Sequence, residues 1–104
     1  MKRMLITLTL LFCMVGPVFA EVVNENNLAC INLDLEIVKN YLISVLNNDH
    51  KLQEKMFNLG QVTVLIKGTP VSVEQRENVR GNVFATVTLP AGKRALMLDH
   101  YLSP

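Results

Sequence analysis

Side chains that could do chemistry are few in this chain and lie far apart. Beyond the first twenty residues they comprise one cysteine, Cys30, and two histidines that each follow an aspartate, Asp49 with His50 and Asp99 with His100. A thiol protease would need Cys30 beside one of these histidines, with a further side chain to orient the imidazole. No motif around Cys30 indicates such a nucleophile, so the sequence predicts no catalytic residue.

The two Asp-His pairs contain ligand types that zinc prefers, but they lack a metal-binding spacing such as two histidines on one helical face. Adjacent residues of a strand point to opposite faces, so each pair would supply one ligand at most. Phosphate-binding loops and dinucleotide fingerprints are also absent from the sequence. We therefore expect no metal, no cofactor and no enzymatic activity, and a small secreted enzyme or toxin is the weakest alternative.

The longest charged stretch of the chain, residues 74–80, lies between two strand-like segments and reads EQRENVR. It is either a solvated hairpin tip or strand extension, or a recognition loop presented by a rigid sheet. In the second interpretation, the residues that contact a protein partner are Glu74, Arg76, Glu77 and Arg80.

Two further features concern association with other chains. Cys30 is either a small buried hydrophobe or a thiol for an intermolecular disulfide, because a single cysteine cannot form a disulfide within its own chain. Residues 62–66 and 83–89 are uncharged, β-prone runs that could pair with another chain if they lay at a sheet edge. We expect a protein partner, with a homodimer as the second option.

An amphipathic helix is predicted for residues 33–47, because apolar side chains recur at helical spacing on one half of the helical wheel. These side chains are Leu35, Ile37, Val38, Tyr41, Leu42, Val45 and Leu46. The sequence Asn47-Asn48-Asp49 favours a break or kink, after which Asp49 would cap a second segment that ends at Gly60. A single bent helix is the alternative.

From Gln61 onward the hydrophobic period changes to two, which predicts β-strands. Alternating runs begin at Val62, Val71 and Val83, and turns are expected at residues 68–70 and 89–92. Residues 95–102 predict a returning strand, with a short C-terminal helix as the alternative. The expected fold class is α+β, with an N-terminal amphipathic helix, kinked or divided in two, packed on a three- to four-stranded antiparallel β-meander.

The first twenty residues are organised like a cleaved signal peptide. Lys2 and Arg3 are basic, residues 4–15 are apolar, and residues 18–20 form a small-residue cleavage pattern. We expect cleavage after Ala20, because the apolar run is shorter than the roughly 18 to 20 residues of a spanning helix. An uncleaved membrane anchor is the alternative. Residues 21–104 are expected to form one small domain, in which residues 21–32 are a flexible lead-in.

The charge balance does not favour nucleic acid or a membrane surface as the partner. The whole chain carries a formal net charge of +1, and without Lys2 and Arg3 its eight basic and nine acidic side chains give −1. The short signal and the single remaining cysteine favour a bacterial protein of the periplasm or the cell exterior. We expect a small exported, non-enzymatic protein-binding module, such as an inhibitor, an immunity factor or an accessory factor of the cell envelope. The alternative is a self-associating structural subunit of an envelope or secreted assembly.

Overall fold

Two helices form from the amphipathic segment in the computed structural model, which describes residues 19–104. Helix α1 spans Leu35–Leu46 and helix α2 spans His50–Asn58. The chain breaks between them because Asn48 takes a left-handed conformation, with φ of +53°, and the Asp49 carboxylate accepts a hydrogen bond from the Leu52 N–H at 3.1 Å. The segment is therefore two helices rather than one bent helix. Neither helix in this part of the chain has the length and apolar character needed to cross a membrane.

Within residues 19–104, seven strands, all paired antiparallel, form one curled sheet in the order β3-β2-β6-β5-β4-β1-β7. A 3-10 turn at Asp99–Tyr101 separates the last two strands. The strands are β1 (Glu21–Val23), β2 (Asn27–Cys30), β3 (Val62–Leu65), β4 (Pro70–Val79), β5 (Asn82–Thr88), β6 (Arg94–Leu98) and β7 (Leu102–Ser103).

The predicted N-terminal helix on a three- to four-stranded meander is wrong. Strands β1 and β2 precede the helices and come from residues 21–32, which had been expected to be a flexible lead-in. Strand β2 also lies between β3 and β6, so β3 is not a neighbour of the strand that follows it. The two N-terminal strands are too short to show a hydrophobic period, and their pairing with distant residues determines their conformation. The predicted signal peptide lies almost wholly outside the described residues and stays a prediction.

A single register joins the two flanks of the sheet. Glu21 pairs with Val71. Asn27, six residues after Glu21, pairs with Leu65, which lies six residues before Val71. Between these ladders the Val23 N–H donates to the Thr69 carbonyl at 2.9 Å. The two ladders therefore share one antiparallel register, interrupted at residues 24–26, between residues 21–30 and residues 62–71. Because β2 also pairs with β6, and β4 with β5, this arrangement curls the sheet on itself.

The inside of the curl holds the first hydrophobic core. Three alanines whose side chains point into the curl allow the strands to approach closely. Larger aliphatic side chains fill the remaining space of this core. Its buried members are Val23, Ala29, Leu65, Val71, Ala85, Val87, Ala95 and Met97.

The outer face of the sheet forms a second core beneath the helices. The Tyr41 ring of α1 meets the Phe84 ring of β5 edge to face, with centroids 6.1 Å apart. The Tyr41 hydroxyl also donates to the Leu28 carbonyl of β2 at 3.1 Å, which fixes α1 to the sheet. Successive residues of β5 therefore pack on opposite sides, since Phe84 contacts the helices while Ala85 lies inside the curl.

At the rim of the curl, Arg76 of β4 joins two other parts of the chain. Its Nη2 donates to both carboxylate oxygens of Glu21 at 2.9 and 2.7 Å, and its Nε donates to the Asp99 carboxylate at 2.7 Å. Arg76 thereby links β1, β4 and the C-terminal 3-10 turn. Two carboxylates around one planar guanidinium give this ion pair more geometric specificity than a single Lys–Glu contact would have.

We expect Phe84→Ala to lower the free energy of unfolding by about 3 to 5 kcal/mol, because it opens a cavity between the sheet and α1. Val83→Ala, one residue earlier on the same strand and partly exposed, should cost less than about 1 kcal/mol. Urea unfolding followed by circular dichroism measures both losses. If Phe84→Ala does not fold, Phe84→Leu should still lose clearly more than Val83→Ala, and equal losses would contradict the described second core.

We expect Arg76→Ala to lower the free energy of unfolding by about 1 kcal/mol, and this loss should shrink in high salt because partly exposed ion pairs are screened. Arg80→Ala is the matched control, because Arg80 forms no salt bridge with any residue in 19–104. Arg76→Lys should recover only part of the loss, since an ammonium lacks the guanidinium fork. Equal losses for Arg76→Ala and Arg80→Ala would show that the Arg76 contacts do not stabilise the fold.

Candidate functional site

The charged stretch at residues 74–80 is an extension of strand β4, not a free loop. Strand β4 continues to Val79, and Arg80 and Gly81, both with positive φ, form the two-residue turn into β5. The Asn78 carboxamide oxygen accepts a hydrogen bond from the Gly81 N–H at 2.9 Å, which stabilises this turn. The β4–β5 hairpin therefore holds the charged side chains on rigid strands.

The four predicted partner-binding residues fall into different environments. Arg76 is occupied by Glu21 and Asp99, as described above. Glu74 accepts hydrogen bonds from the Thr88 hydroxyl and from Arg94, whose Nε lies 3.1 Å away. Glu77 is exposed and makes no salt bridge within residues 19–104, and Arg80 lies at the hairpin turn. Of the two acidic side chains, Glu77 is thus the one that is free to meet a partner.

The contacts of Glu74 also affect its protonation. The Thr88 hydroxyl, and secondarily Arg94, lower the pKa of the Glu74 carboxyl below its ordinary value. A carboxylate with a lowered pKa stabilises the folded state at pH values above its ordinary pKa, and this contribution is lost as the pH falls through the lowered value. Glu74 therefore acts as an ionised partner of Arg94 at neutral pH.

A groove of about 360 Å³ runs between α1 and the outer face of the β4–β5 hairpin. Its apolar lining comes from the helix side and from the sheet floor, and its polar lining comes from strands β4, β5 and β6. It continues past Leu42 and Val79 into a shallower space of about 210 Å³ beside Arg80. The apolar residues of the main groove are Leu33, Val38, Leu42, Val79, Phe84 and Leu96, and the polar ones are Gln75, Glu77, Thr86 and Arg94.

Strand β4 has an open backbone edge beside this groove. Strand β1 pairs with β4 only at Pro70 and Val71, whereas β5 pairs with β4 from Ser72 to Val79. Within the described chain, residues 72–79 thus have a strand on one side and none on the other. Charged side chains commonly protect such an edge from indiscriminate pairing, and the open part of β4 carries three of them, Glu74, Arg76 and Glu77.

Sequence reasoning missed part of this groove. Gln75 could have been found from the period of two, because it lies two residues before Glu77 on the same strand face. Arg94 and Thr86 gave no such signal, since only the pairing of β5 with β4 and β6 brings them to the groove. Ile43, an apolar residue on the polar side of α1, lies in the shallower space beside Arg80, where the groove ends. Its side chain is 46% exposed.

The residues considered for catalysis and metal binding do not form a site. His50 is exposed at the start of α2, and His100 is exposed in the 3-10 turn, while Cys30 is buried beneath the helices. Asp99 is bound by Arg76 rather than by its neighbouring histidine. No group of three or more His, Cys, Asp or Glu side chains comes together anywhere in residues 19–104.

The thiol of Cys30 is fully enclosed in the second core. Its Sγ lies 3.2 Å from the Asn32 carbonyl, to which the thiol donates a hydrogen bond. Burial raises the pKa of the Cys30 thiol, which lowers the fraction of reactive thiolate at neutral pH. An intermolecular disulfide through Cys30 would therefore require this part of the fold to open first.

We expect the Cys30 thiol to react with Ellman's reagent far more slowly in the native protein than in urea, because the native side chain is both enclosed and protonated. The assay uses a chain with Cys13→Ser, so that Cys30 is its only thiol. Native and unfolded samples of the same protein serve as each other's control. Comparable rates in the two samples would show that Cys30 is accessible, and would return the intermolecular disulfide to consideration.

Comparison with known proteins gives no relative from which the use of this groove could be inferred: no family model matches the chain, and no curated protein or solved structure matches it either.

Proposed function

We propose that this chain is a small exported, non-enzymatic protein-binding module that takes up an extended segment of a partner protein beside strand β4. The observation that carries the proposal is the open edge of β4 at residues 72–79, directly alongside the groove under α1. In β-strand addition, main-chain hydrogen bonds to an open edge give affinity, and neighbouring pockets that accept alternate side chains give specificity.

The shape and charge of the groove indicate what kind of segment would fit. An added strand at β4 would direct every second side chain to the face that carries Gln75, Glu77 and Val79. Apolar side chains in these positions could pack on the groove lining, and a basic side chain could pair with the free carboxylate of Glu77. We therefore infer a segment that alternates apolar residues with at least one Lys or Arg.

The proposed location of this interaction is the periplasm or the cell exterior, which rests on the signal-like organisation of the first twenty residues. An inhibitor, an immunity factor or an accessory subunit of an envelope assembly would each use such a surface. The partner expected from this location is itself an exported protein.

Self-association is the second candidate, because the other flank of the fold carries a different open edge. Strand β3 is one of the two terminal strands of the sheet, and β7 is the other. Exposed apolar side chains lie on and around it, and they are Phe57, Leu59, Val64 and Ile66. Two copies could pair through this edge and cover those side chains.

The test places a photo-crosslinking residue at Glu77 and, in a matched control, at Glu54, an exposed acidic position on α2 outside the groove. We expect one defined adduct with an envelope protein from position 77 and none from position 54. Hydrogen exchange on the purified complex should show newly protected amides at residues 72–79, because strand addition occupies that edge. Protection confined to residues 62–66, with adducts between copies of this chain, would replace this proposal with self-association.

We expect Glu77→Arg to weaken binding of the crosslinked partner by about tenfold, on the order of 1.4 kcal/mol. The longer side chain enters the groove and adds a cation near Arg94, where a basic residue of the partner is proposed to lie. Glu54→Arg makes the same charge change elsewhere and should leave the affinity unchanged. Binding is measured by titration at two salt concentrations, and equal affinities for the two variants would contradict the role of the groove.

A further inference from the structure

Four exposed apolar side chains lie on the flank of the fold formed by the end of α2 and by strand β3. They are Phe57, Leu59, Val64 and Ile66, each between 42% and 61% exposed, and we call them the α2–β3 patch. Val64 shares a strand face with Val62, which is buried beneath the helices, so the helical cover ends within β3. Single exposed apolar residues are ordinary, but a group of them on one flank indicates a surface that meets another body.

Lysines flank this patch in both directions along the chain. Lys51, Lys55 and Leu59 are spaced four residues apart, so they follow one side of α2 and its last turn. Lys67 comes directly after Ile66, at the other end of the patch. All three lysines are exposed, and none of them makes a salt bridge within residues 19–104.

Acidic side chains are scarce in this part of the chain. Residues 50–68 contain three lysines and one acidic residue, Glu54, which gives a local net charge of +2. Glu25 lines the same open depression as Lys67 but makes no salt bridge with any residue in 19–104. The small net charge of the whole chain, which did not favour a membrane surface, conceals this local excess of positive charge.

We propose that the α2–β3 patch docks on the surface of a lipid bilayer that contains anionic phospholipids. Exposed apolar side chains can enter the boundary between headgroups and acyl chains, while the flanking lysines stay among the phosphates. Each lysine close to an anionic surface adds to the attraction. The inference does not depend on the groove beside β4.

The observations favour a bilayer over a protein at this surface. Two copies of the chain that met through the patch would place the same net positive charge on both sides of the contact. A segment of another protein has a concave apolar surface available in the groove, whereas the side chains of the patch line neither the groove nor the space beside Arg80. Protruding apolar side chains with basic neighbours are typical of an interfacial anchor.

The test uses tryptophan fluorescence, because the chain has no tryptophan of its own. Phe57→Trp places the probe in the patch, and Leu35→Trp places it at a 74% exposed apolar position at the start of α1. The full chain is mixed with vesicles of equal parts phosphatidylglycerol and brominated phosphatidylcholine, or of brominated phosphatidylcholine alone. We expect the anionic vesicles to quench Phe57→Trp at least about twofold and to leave Leu35→Trp unquenched. If Phe57→Trp does not fold, Leu59→Trp carries the same expectation.

The contribution of the lysines is tested by removing them in pairs. Lys51→Gln combined with Lys55→Gln should weaken binding to the anionic vesicles about twentyfold, and this loss should shrink in high salt. Lys39→Gln combined with Lys93→Gln removes the same charge from exposed positions outside the patch, and it should weaken binding less than about threefold.

Three results would overturn the proposal: quenching of Phe57→Trp no stronger than that of Leu35→Trp, equal quenching by the neutral vesicles, or equal losses for the two pairs of lysine variants. A dimer that forms without vesicles, and shifts the emission of Phe57→Trp to shorter wavelength as it forms, would instead assign the patch to a second copy of the chain.

Discussion

The fold depends on one backbone ladder, in which residues 21–30 run antiparallel to residues 62–71. This ladder connects the β1–β4 pair with the β2–β3 pair. Because β2 also pairs with β6, and β4 with β5, the connection forces the sheet to curl. The hydrogen bond from the Gly68 N–H to the Val23 carbonyl, at 2.8 Å, keeps the ladder continuous at its irregular centre. The enclosed core, the position of the helices and the open part of β4 all follow from it.

Closure of the curled sheet by the short segment 21–30 explains why both faces of the sheet are buried. The inner face is packed against itself, which requires small residues such as Ala29, Ala85 and Ala95, all fully buried. The outer face needs α1 and α2 as a cover, and the helices cover β2, β5 and β6 more completely than β4. The groove lies where this cover ends, so its apolar floor is an extension of the second core.

Elements with a local cause could be predicted from the sequence. The break between the helices follows from Asn48 and Asp49, and the turn before β6 follows from Pro90 and Gly92, where the Gly92 N–H donates to the Leu89 carbonyl at 2.8 Å. Contacts between distant residues could not be predicted, because no periodic pattern marks them. Strands β1 and β2 form only through pairing with residues far along the chain.

For the candidate groove, too, local features could be predicted from the sequence and contacts between distant residues could not. The charged residues 74–80 mark the β4–β5 hairpin in the sequence, but they do not show which of their side chains lack a salt bridge within residues 19–104. Arg76 is bound by Glu21, 55 residues away, and this contact changes the interpretation of an exposed arginine from a recognition residue to a structural one. Whether a charged side chain is available to a partner depends on such long-range pairs, which single-sequence reasoning does not provide.

The position of β1 between β4 and β7 has a consequence for the order of folding. Val22 pairs with Pro70 on one side and with Ser103 on the other, so both sides of this strand are paired only when Ser103 is present. Both contacts join residues that are far apart along the chain, which slows folding relative to local helix formation. Strand β1 therefore gains its second neighbour only after residues 102 and 103 have been made, a delay that suits a polypeptide proposed to leave the cytoplasm before it folds.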